Sequence, residues 1–302
     1  MRHLPSYSRR RLRGFTLLEL LIVIGVVLML LALLLPAVQM AREIANRVRC
    51  QNNLVQLGVA LQHYNQTFSV LPPGCVNDVG PILADGQGYR IGWIAQILPF
   101  LGEDGLWHQV NFVNPDLAGR ISTTTVYLSL LQCPSSSRIR SPISCYAGVH
   151  NSVEQPIDVD GDGLLYLNSS ESLESVPDGA SNTLLLGEHK NVPLGSVWIY
   201  GDRGTLRNMG DTNGLGSYTR IMNFDPTTGE MEDTRNMTDE QRAEYKFIQN
   251  QRVGTFGSAH NLHVHFLLAD GSVRAIRKTM SQEVLLKLAS RKDGQLVSAT
   301  EF

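Results

Sequence analysis

The sequence lacks several features that mark common functional classes. It has no excess of basic residues, because 26 lysines and arginines stand against 28 aspartates and glutamates, for a formal net charge of -2. This balance gives no basic signature of nucleic-acid binding, so no nucleic-acid partner is expected. The sequence also contains neither a Walker A loop nor a Gly-x-Ser-x-Gly elbow. Neither nucleotide hydrolysis nor serine-hydrolase chemistry is therefore indicated.

Cysteine is scarce, and no two cysteines have a Cys-x-x-Cys spacing. The four are Cys50, Cys75, Cys133 and Cys145. In an exported domain an even number of cysteines allows several disulfide pairings, which the sequence does not rank. Closeness along the chain predicts a disulfide between Cys133 and Cys145. The alternative is that both are buried free thiols that pack as small hydrophobic residues.

One long hydrophobic run lies near the N-terminus. It extends from Leu20 to Val38 without a charge, which matches the about 20 apolar residues that span a bilayer as a helix. Arginines lie just before it, at Arg9, Arg10, Arg11 and Arg13. Their excess predicts a cytoplasmic N-terminus for a chain that crosses the membrane once. No small-residue cleavage site of the Ala-x-Ala type follows the run, as a secretory signal peptide would require.

A single carboxylate, Glu19, lies at the entry to this run. A charge at mid-membrane costs about 2.5–3.5 kcal/mol on insertion scales, so an intramembrane carboxylate indicates a functional site. A partner of opposite charge lowers this cost, because a paired charge is tolerated in low dielectric far better than an unpaired one.

The segment around Glu19 resembles the N-terminal signal of type IV pilins and type II secretion pseudopilins. It reads GFTLLELLIVIGVVLMLLALLLPA. In that family a prepilin peptidase cuts after a glycine, here Gly14, and methylates the new N-terminal residue, here Phe15. Glu19 matches the glutamate that pairs with the N-terminal ammonium of a neighbouring subunit. The resemblance implies prepilin peptidase, the inner membrane, and other pilin-like subunits or further copies of this chain as partners. A plain membrane anchor with a chance glutamate is the alternative.

The helix is predicted to continue beyond the hydrophobic run. Apolar residues recur at helical spacing, which is typical of a helix with one buried face. They are Leu54, Leu57, Leu61, Tyr64 and Phe68, with Met40, Ile44 and Val48 on roughly the same stripe earlier. The Leu71-Pro72-Pro73-Gly74 sequence then ends the helix.

The remaining chain predicts a head of short strands. Residues 92–101 predict a strand or a short helix, and strands are expected at 123–132, 145–148, 163–168, 183–187 and 196–200. Residues 201–252 predict a surface excursion, in which Thr238 and Gln241 form a capping box that opens a short helix. Strands at 263–269 and 272–276 flank Asp270-Gly271, a hairpin signal, and Ser281 caps a last helix through Ala289.

The predicted fold is α+β and type IV pilin-like, with a long N-terminal helix packed on an antiparallel β-sheet head. The helix has a membrane half and an amphipathic half. Four segments are predicted: a leader at 1–14, a transmembrane and assembly helix at 15–38, an amphipathic helix at 39–74, and a periplasmic or extracellular head at 75–302. The head includes the surface excursion at 201–252, and the hairpin with its C-terminal helix at 253–302.

A fuller resemblance covers nearly the whole chain. Some pilin-like bacterial proteins join a prepilin-type cleavage and methylation domain to a C-terminal domain of unknown function. That domain carries a motif of histidine, nine residues, then Asp-Gly. Here the motif is His260, the segment 261–269, and Asp270-Gly271. Further matching segments are Cys50-Gln51-Asn52-Asn53-Leu54, Leu71-Pro72-Pro73-Gly74, Cys133-Pro134-Ser135, and residues 177–188. The resemblance implies an architecture and leaves the biochemistry open.

A calcium site is one interpretation of an acidic loop in the sequence. Asp158, Asp160 and Asp162 occupy the first, third and fifth positions of an EF-hand-like loop, and Gly163 occupies the sixth. The twelfth position is Ser169 rather than a bidentate glutamate, so the motif is incomplete. The alternative is a solvated acidic turn. Calcium is the one cofactor that the sequence suggests.

Three histidines invite a metal or acid–base interpretation: His260, His263 and His265. The preferred interpretation is structural, with His260 bonded to the hairpin turn or to Asp270, because no further metal-ligand spacing accompanies them. Trp93, Trp107 and Trp198 are predicted as core or interface anchors rather than a sugar-binding platform.

Three functions follow from these patterns. The first is a non-enzymatic pilin- or pseudopilin-like subunit of a type II secretion or type IV pilus-like system. The second is a membrane-anchored exported domain that binds a ligand or glycan without filament assembly. The third, a tethered hydrolase that uses His260 and Asp270, has the least support. Glu19 separates the first from the others, because only assembly requires its charge.

Overall fold

In the computed structural model of the chain, the described residues are 16–83, 88–110, 112, 126–136, 141–190, 196–209, 238–298 and 301. The predicted leader therefore lies outside them. The chain divides into two units, Met1–Ala45 and Asn46–Phe302, and each is described by itself.

The first unit is formed by the beginning of helix α1 (Leu17–Phe68). Its apolar side chains are exposed, from Leu17 at 81 % to Val38 at 47 %. Within the described ranges α1 is the helix that is long and apolar enough to span a membrane. Pro36 lies inside it, and the helix continues on both sides. The predicted long N-terminal helix is confirmed.

The rest of α1 belongs to the second unit and buries one face there. Leu54, Leu57 and Leu61 are fully buried, as the periodicity predicts. The predicted stripe is wrong at both ends, because Met40, Ile44 and Val48 are exposed on the N-terminal side and Phe68 is exposed at the C-terminal end. Other buried residues share the face: Cys50, Asn53, Gly58, Ala60 and Asn65.

The second unit is built on a five-stranded sheet in the order β5-β3-β4-β6-β7. A separate antiparallel pair joins β1 and β2. The strands are β1 (Cys75–Val76), β2 (Ile91–Gly92), β3 (Tyr146–Asn151), β4 (Leu184–Glu188), β5 (Leu206–Asn208), β6 (His263–Leu268) and β7 (Val273–Arg277). Neighbouring strands are antiparallel except β3 and β5, which are parallel. The α+β class is confirmed, and the parallel pair modifies the predicted antiparallel head.

The sheet separates two hydrophobic cores. On one face, Leu54 and Leu57 of α1 pack into a cluster that includes Leu267 of β6. On the other, Phe266 of β6 packs in a cluster with Leu288 of the C-terminal helix. Adjacent residues of β6 enter different cores because side chains alternate across a strand. The head is therefore layered as helix, sheet, helix.

The other α-helices within the described residues are short. They are α2 (Trp93–Gln96), α3 (Asp104–Trp107), α4 (Asp239–Gln251) and α5 (Gln282–Ala289). The predicted capping box is present at α4, where the Gln241 backbone N–H donates to the Thr238 hydroxyl and the Thr238 N–H donates to the Gln241 side chain. Ser281 caps α5 as predicted, accepting from the Val284 N–H.

Not every predicted strand forms. Residues 92–101, which predict either a strand or a short helix, form α2 and a 3₁₀ turn (Leu98–Leu101). The predicted strand at 123–132 instead contains a 3₁₀ turn at Ser129–Leu131. Residues 163–168 run beside β3 irregularly: the Gly163 and Leu165 N–H groups donate to the β3 carbonyls of His150 and Val149. At 196–200, Tyr200 forms only an isolated bridge, to Ile91. Apolar runs this short do not distinguish strands from other buried segments.

The predicted surface excursion at 201–252 starts too early. Leu206–Asn208 form β5, which is buried and pairs with β3. The guanidinium of Arg207 is buried there and donates to the Val253 carbonyl at 2.7 Å. The glycines and charged residues of this stretch predict a surface loop. The pairing of β5 with β3 and the buried hydrogen bond of Arg207 instead hold its first part in the head. Residues 210–237 lie outside the described residues.

A fully buried histidine, His150 in β3, makes the stability of the head depend on pH. Burial, with the positive charge of Arg207 nearby, lowers the pKa of His150 to about 3. In the unfolded chain a histidine has a pKa of about 6.5. Above that pH the imidazole is neutral in both states. Below about pH 6.5 the histidine binds a proton in the unfolded chain but not in the folded chain. The free energy of unfolding therefore falls by about 1.4 kcal/mol per pH unit towards pH 3.

Replacing His150 tests this dependence. A His150→Phe chain is expected to lose about 1.4 kcal/mol less per pH unit than the wild type below pH 6. The buried His189, whose pKa burial also holds well below its usual value, keeps part of the dependence in the variant. Urea unfolding of the full chain in detergent at several pH values measures the slope. The exposed His63 is the control site, and equal slopes for wild type and His150→Phe would contradict the assignment.

Candidate functional site

The start of α1 holds Glu19 in a capping box. The Thr16 backbone N–H donates to Glu19 Oε2 at 2.9 Å, and the Thr16 hydroxyl donates to the same oxygen at 2.9 Å. In return, the Glu19 N–H donates to Thr16 Oγ1 at 3.3 Å. The carboxylate thus satisfies an N-terminal N–H group of the helix. Both contacts use Oε2, which leaves Oε1 for a second donor. Gly14 and Phe15 lie outside the described residues.

A second feature is a group of titratable side chains between α1 and the sheet. We call it the buried cluster; its members are Cys50, Cys133, Glu188, His260 and His265. Cys50 comes from α1, Glu188 ends β4, and His265 lies in β6. Each member is no more than 5 % exposed. Four separated segments therefore bring polar side chains to one buried place.

Short contacts link the members of the buried cluster. The Sγ atoms of Cys50 and Cys133 lie 3.0 Å apart. His260 Nε2 lies 3.8 Å from Cys133 Sγ and 3.8 Å from Glu188 Oε1. His265 holds the same carboxylate, through its backbone N–H to Oε2 at 3.0 Å and its Nδ1 at 3.1 Å from Oε1.

The surrounding backbone fixes these positions. Asn53 of α1 donates to the Gln132 carbonyl at 3.2 Å, which holds the segment before Cys133 against the helix. The Lys278 ammonium donates to the His260 carbonyl at 2.6 Å, and the Ser258 hydroxyl accepts from the His260 N–H. Both ends of the cluster are thus anchored by hydrogen bonds outside it.

The two thiols are electrostatically unequal. Cys50 donates its S–H to Cys133, so the pKa of the Cys133 thiol falls below its usual value and that of Cys50 rises above it. Cys133 is therefore the more acidic thiol of the pair.

Cys133 and Cys145 do not form the predicted disulfide, because all four cysteines are free and buried. This matches the alternative prediction of buried free thiols. The two segments do run side by side, with the Cys145 N–H donating to the Leu131 carbonyl at 2.7 Å. The thiol in contact with Cys133 belongs to Cys50. Closeness along the chain gave the wrong partner for Cys133, because α1 lies over this segment and its Cys50 sulfur is nearer.

The two ends of the His260 to Asp270 motif have different partners. Asp270 Oδ1 accepts from the Ser272 N–H at 2.8 Å and from the Ser272 hydroxyl at 2.6 Å, within the β6–β7 turn. Gly271 follows with φ of 87°, a conformation that favours glycine. His260 instead lies against Glu188 and Cys133. The predicted contact of His260 with Asp270 is therefore not observed, because His260 contacts other members of the buried cluster instead.

The predicted calcium loop is organised by other contacts. The Asp162 carboxylate accepts from the Ser152 N–H at 2.6 Å and from the Ser152 hydroxyl at 2.5 Å. The Arg291 guanidinium donates to the Gly161 and Gly163 carbonyls at 2.7 and 2.9 Å. Among the described residues, Asp158, Asp160 and Asp162 are not a group whose oxygens lie within 4.8 Å of one another. Calcium binding stays a prediction.

Two family profiles match the chain. Residues 9–35 match the prokaryotic N-terminal methylation motif. Residues 39–283 match a family described as a protein of unknown function (DUF1559). The chain belongs to the DUF1559 family. No curated protein and no solved structure matches it.

The resemblance inferred from the sequence is therefore confirmed. The DUF1559 region contains every member of the buried cluster, and the methylation motif contains Gly14, Phe15 and Glu19. With one apolar N-terminal helix, the DUF1559 chain is compatible with a single-pass membrane anchor.

Sequence reasoning missed two members of the buried cluster as site residues, Cys50 and Glu188. Signals for both exist in this DUF1559 sequence. Cys50 lies four residues before Leu54 and so continues the buried stripe of α1. Glu188 is a lone charge directly after the apolar strand at 184–187, and a buried charge requires a partner.

Proposed function

We propose that this protein is a pilin- or pseudopilin-like structural subunit of a type II secretion or type IV pilus-like system. Prepilin peptidase cuts it after Gly14 and methylates Phe15. The N-terminus faces the cytoplasm before processing, and the head lies in the periplasm or outside the cell. The observation that carries the proposal is the methylation motif at residues 9–35, which includes the exposed apolar start of α1.

The chemistry of Glu19 supports assembly through this helix. Its Oε1 atom is available to the methylated N-terminal ammonium of a neighbouring subunit. In low dielectric such a pair offsets much of the cost of both charges. An apolar helix surface then gives lateral contact, and the ion pair sets the register between helices.

Processing is tested first, by intact mass and N-terminal sequencing of the protein extracted from membranes. The expected chain begins at methylated Phe15. A Gly14→Glu chain, which lacks the residue after which the peptidase cuts, is expected to keep residues 1–14. A wild-type chain that retains its leader, or that is cut beyond Val38, would remove the pilin assignment.

A specific observation favours ligand binding as a second candidate function. A cleft of about 580 Å³ opens in the second unit, a volume typical of small-molecule sites. Its polar lining includes Arg49, Gln56, Tyr127 and Gln132. In this second candidate the chain is an anchored exported domain that binds a ligand or glycan without forming filaments. It predicts that neutralising Glu19 changes nothing in binding or in oligomeric state.

A further inference from the structure

The buried cluster offers the donor set of a metal site. The ligand atoms of Cys50, Cys133 and His260 all lie within 4.8 Å of one another, and so do those of Glu188, His260 and His265. His260 belongs to both groups. Thiolate, imidazole and carboxylate are the ligands that zinc takes in proteins.

Core packing alone does not explain this arrangement. Each member is a buried polar or titratable group, where an apolar residue of similar size would pack without a desolvation cost. Around them, α1 and the sheet are lined by leucine, isoleucine and tryptophan. A divalent cation at the centre, bound as both thiols release their protons, offsets most of the negative charge of the carboxylate and the two thiolates.

Two of the donor distances match a tetrahedral ion. With zinc–sulfur bonds of about 2.3 Å and zinc–nitrogen bonds of about 2.0 Å, neighbouring ligand atoms lie roughly 3.3–3.8 Å apart. The His260 Nε2 distances to Cys133 Sγ and to Glu188 Oε1 are both 3.8 Å. The two sulfurs, at 3.0 Å, need only a small separation to reach this range. The ion would also draw the Glu188 carboxylate closer to the two sulfurs, because the four donor atoms do not all lie within 4.8 Å of one another.

We propose that Cys50, Cys133, His260 and Glu188 bind one zinc ion. His265 does not ligate the ion; it orients Glu188 through its backbone N–H and its Nδ1, as outer-shell partners commonly do. Four protein ligands in a buried place leave no open position, so the ion is structural rather than catalytic. It fastens the part of α1 that begins at Asn46 to the sheet. This inference does not depend on filament assembly.

A disulfide between Cys50 and Cys133 is the competing outcome. It would require the sulfurs to approach to about 2.05 Å and an oxidant to accept two electrons and two protons. It would use only the two thiols and leave the convergence of His260 and Glu188 unexplained. Zinc accounts for all four side chains, and the two outcomes exclude each other in one molecule.

The test uses the full chain in detergent, purified with a reductant, stripped with a chelator and titrated with zinc alone. We expect one bound zinc per chain by elemental analysis and a higher melting temperature with zinc than without it. Cobalt in place of zinc should give the intense thiolate-to-cobalt absorption of a tetrahedral site. The cobalt spectrum needs no variant, so it remains informative if substitutions prevent folding.

Variants assign the ligands. Cys50→Ser and Cys133→Ser are each expected to lower zinc affinity by about 100-fold or more, and His265→Gln by about 10- to 100-fold. Cys75→Ser, at a buried thiol outside the cluster, is the matched control and should bind zinc like the wild type. The proposal is overturned if the reduced wild type binds no stoichiometric zinc, or if peptide mapping of protein isolated without added oxidant finds a Cys50–Cys133 disulfide and no metal.

Discussion

A Glu19→Gln chain is expected to be processed at Gly14 but to lose assembly. Glutamine keeps an oxygen that accepts from the Thr16 N–H, so the capping box at the start of α1 is preserved. Only the charge is removed. Taking away one partner of a buried ion pair costs about 3–5 kcal/mol, so the crosslinked oligomer fraction in membranes should fall by about tenfold or more.

Thr16→Val is the matched control for this prediction. It removes the hydroxyl that accepts from the Glu19 N–H but keeps the carboxylate charge. Loss of a helix cap costs about 1 kcal/mol, so this variant should assemble nearly as well as the wild type. If Glu19→Gln assembles normally while Thr16→Val does not, the carboxylate serves only to cap the helix, and the anchored binding domain becomes the better explanation.

Trp93→Ala is expected to cause the largest loss of head stability. Trp93 is fully buried at the start of α2, and its indole N–H donates to the Thr205 carbonyl at 2.9 Å. Its removal leaves a cavity and an unpaired carbonyl, which together cost about 3–5 kcal/mol. For a unit of this size that lowers the melting temperature by roughly 10 °C. Far-UV circular dichroism of the full chain in detergent follows the transition.

Trp107 gives the comparison for Trp93. It is only partly buried, and its ring centroid lies 4.3 Å from that of Phe112 with the two rings tilted by 45°. Trp107→Ala is therefore expected to cost about 1 kcal/mol. Equal losses for the two variants would show that the pocket around Trp93 collapses to fill the space, and that its burial contributes less than the structure implies.

Local sequence signals predicted the elements that depend on local physics. Helical spacing of leucines and a double proline defined the second half of α1, and Asp270-Gly271 defined the β6–β7 hairpin. The caps at Thr238 and Ser281 also follow from short patterns, because each bonds to a residue three positions away. These interactions join residues close in sequence, so one sequence suffices to recognise them.

The buried cluster was not predictable in the same way. Cys50 and Cys133 are 83 residues apart, and Cys133 and His260 are 127 apart. Their meeting depends on how α1 lies on the sheet, and no local pattern carries that information. The parallel pairing of β3 and β5 was missed for the same reason, because it joins strands that are distant in the chain.

The two edges of the five-stranded sheet are both unfavourable for pairing with another molecule. At one edge β5 has only three residues, and its Asn208 is bridged to Thr255. At the other, β7 carries Arg274 and Arg277, and a charged edge resists the addition of a further strand. Heads of neighbouring copies are therefore not expected to join by adding strands across either edge of this sheet.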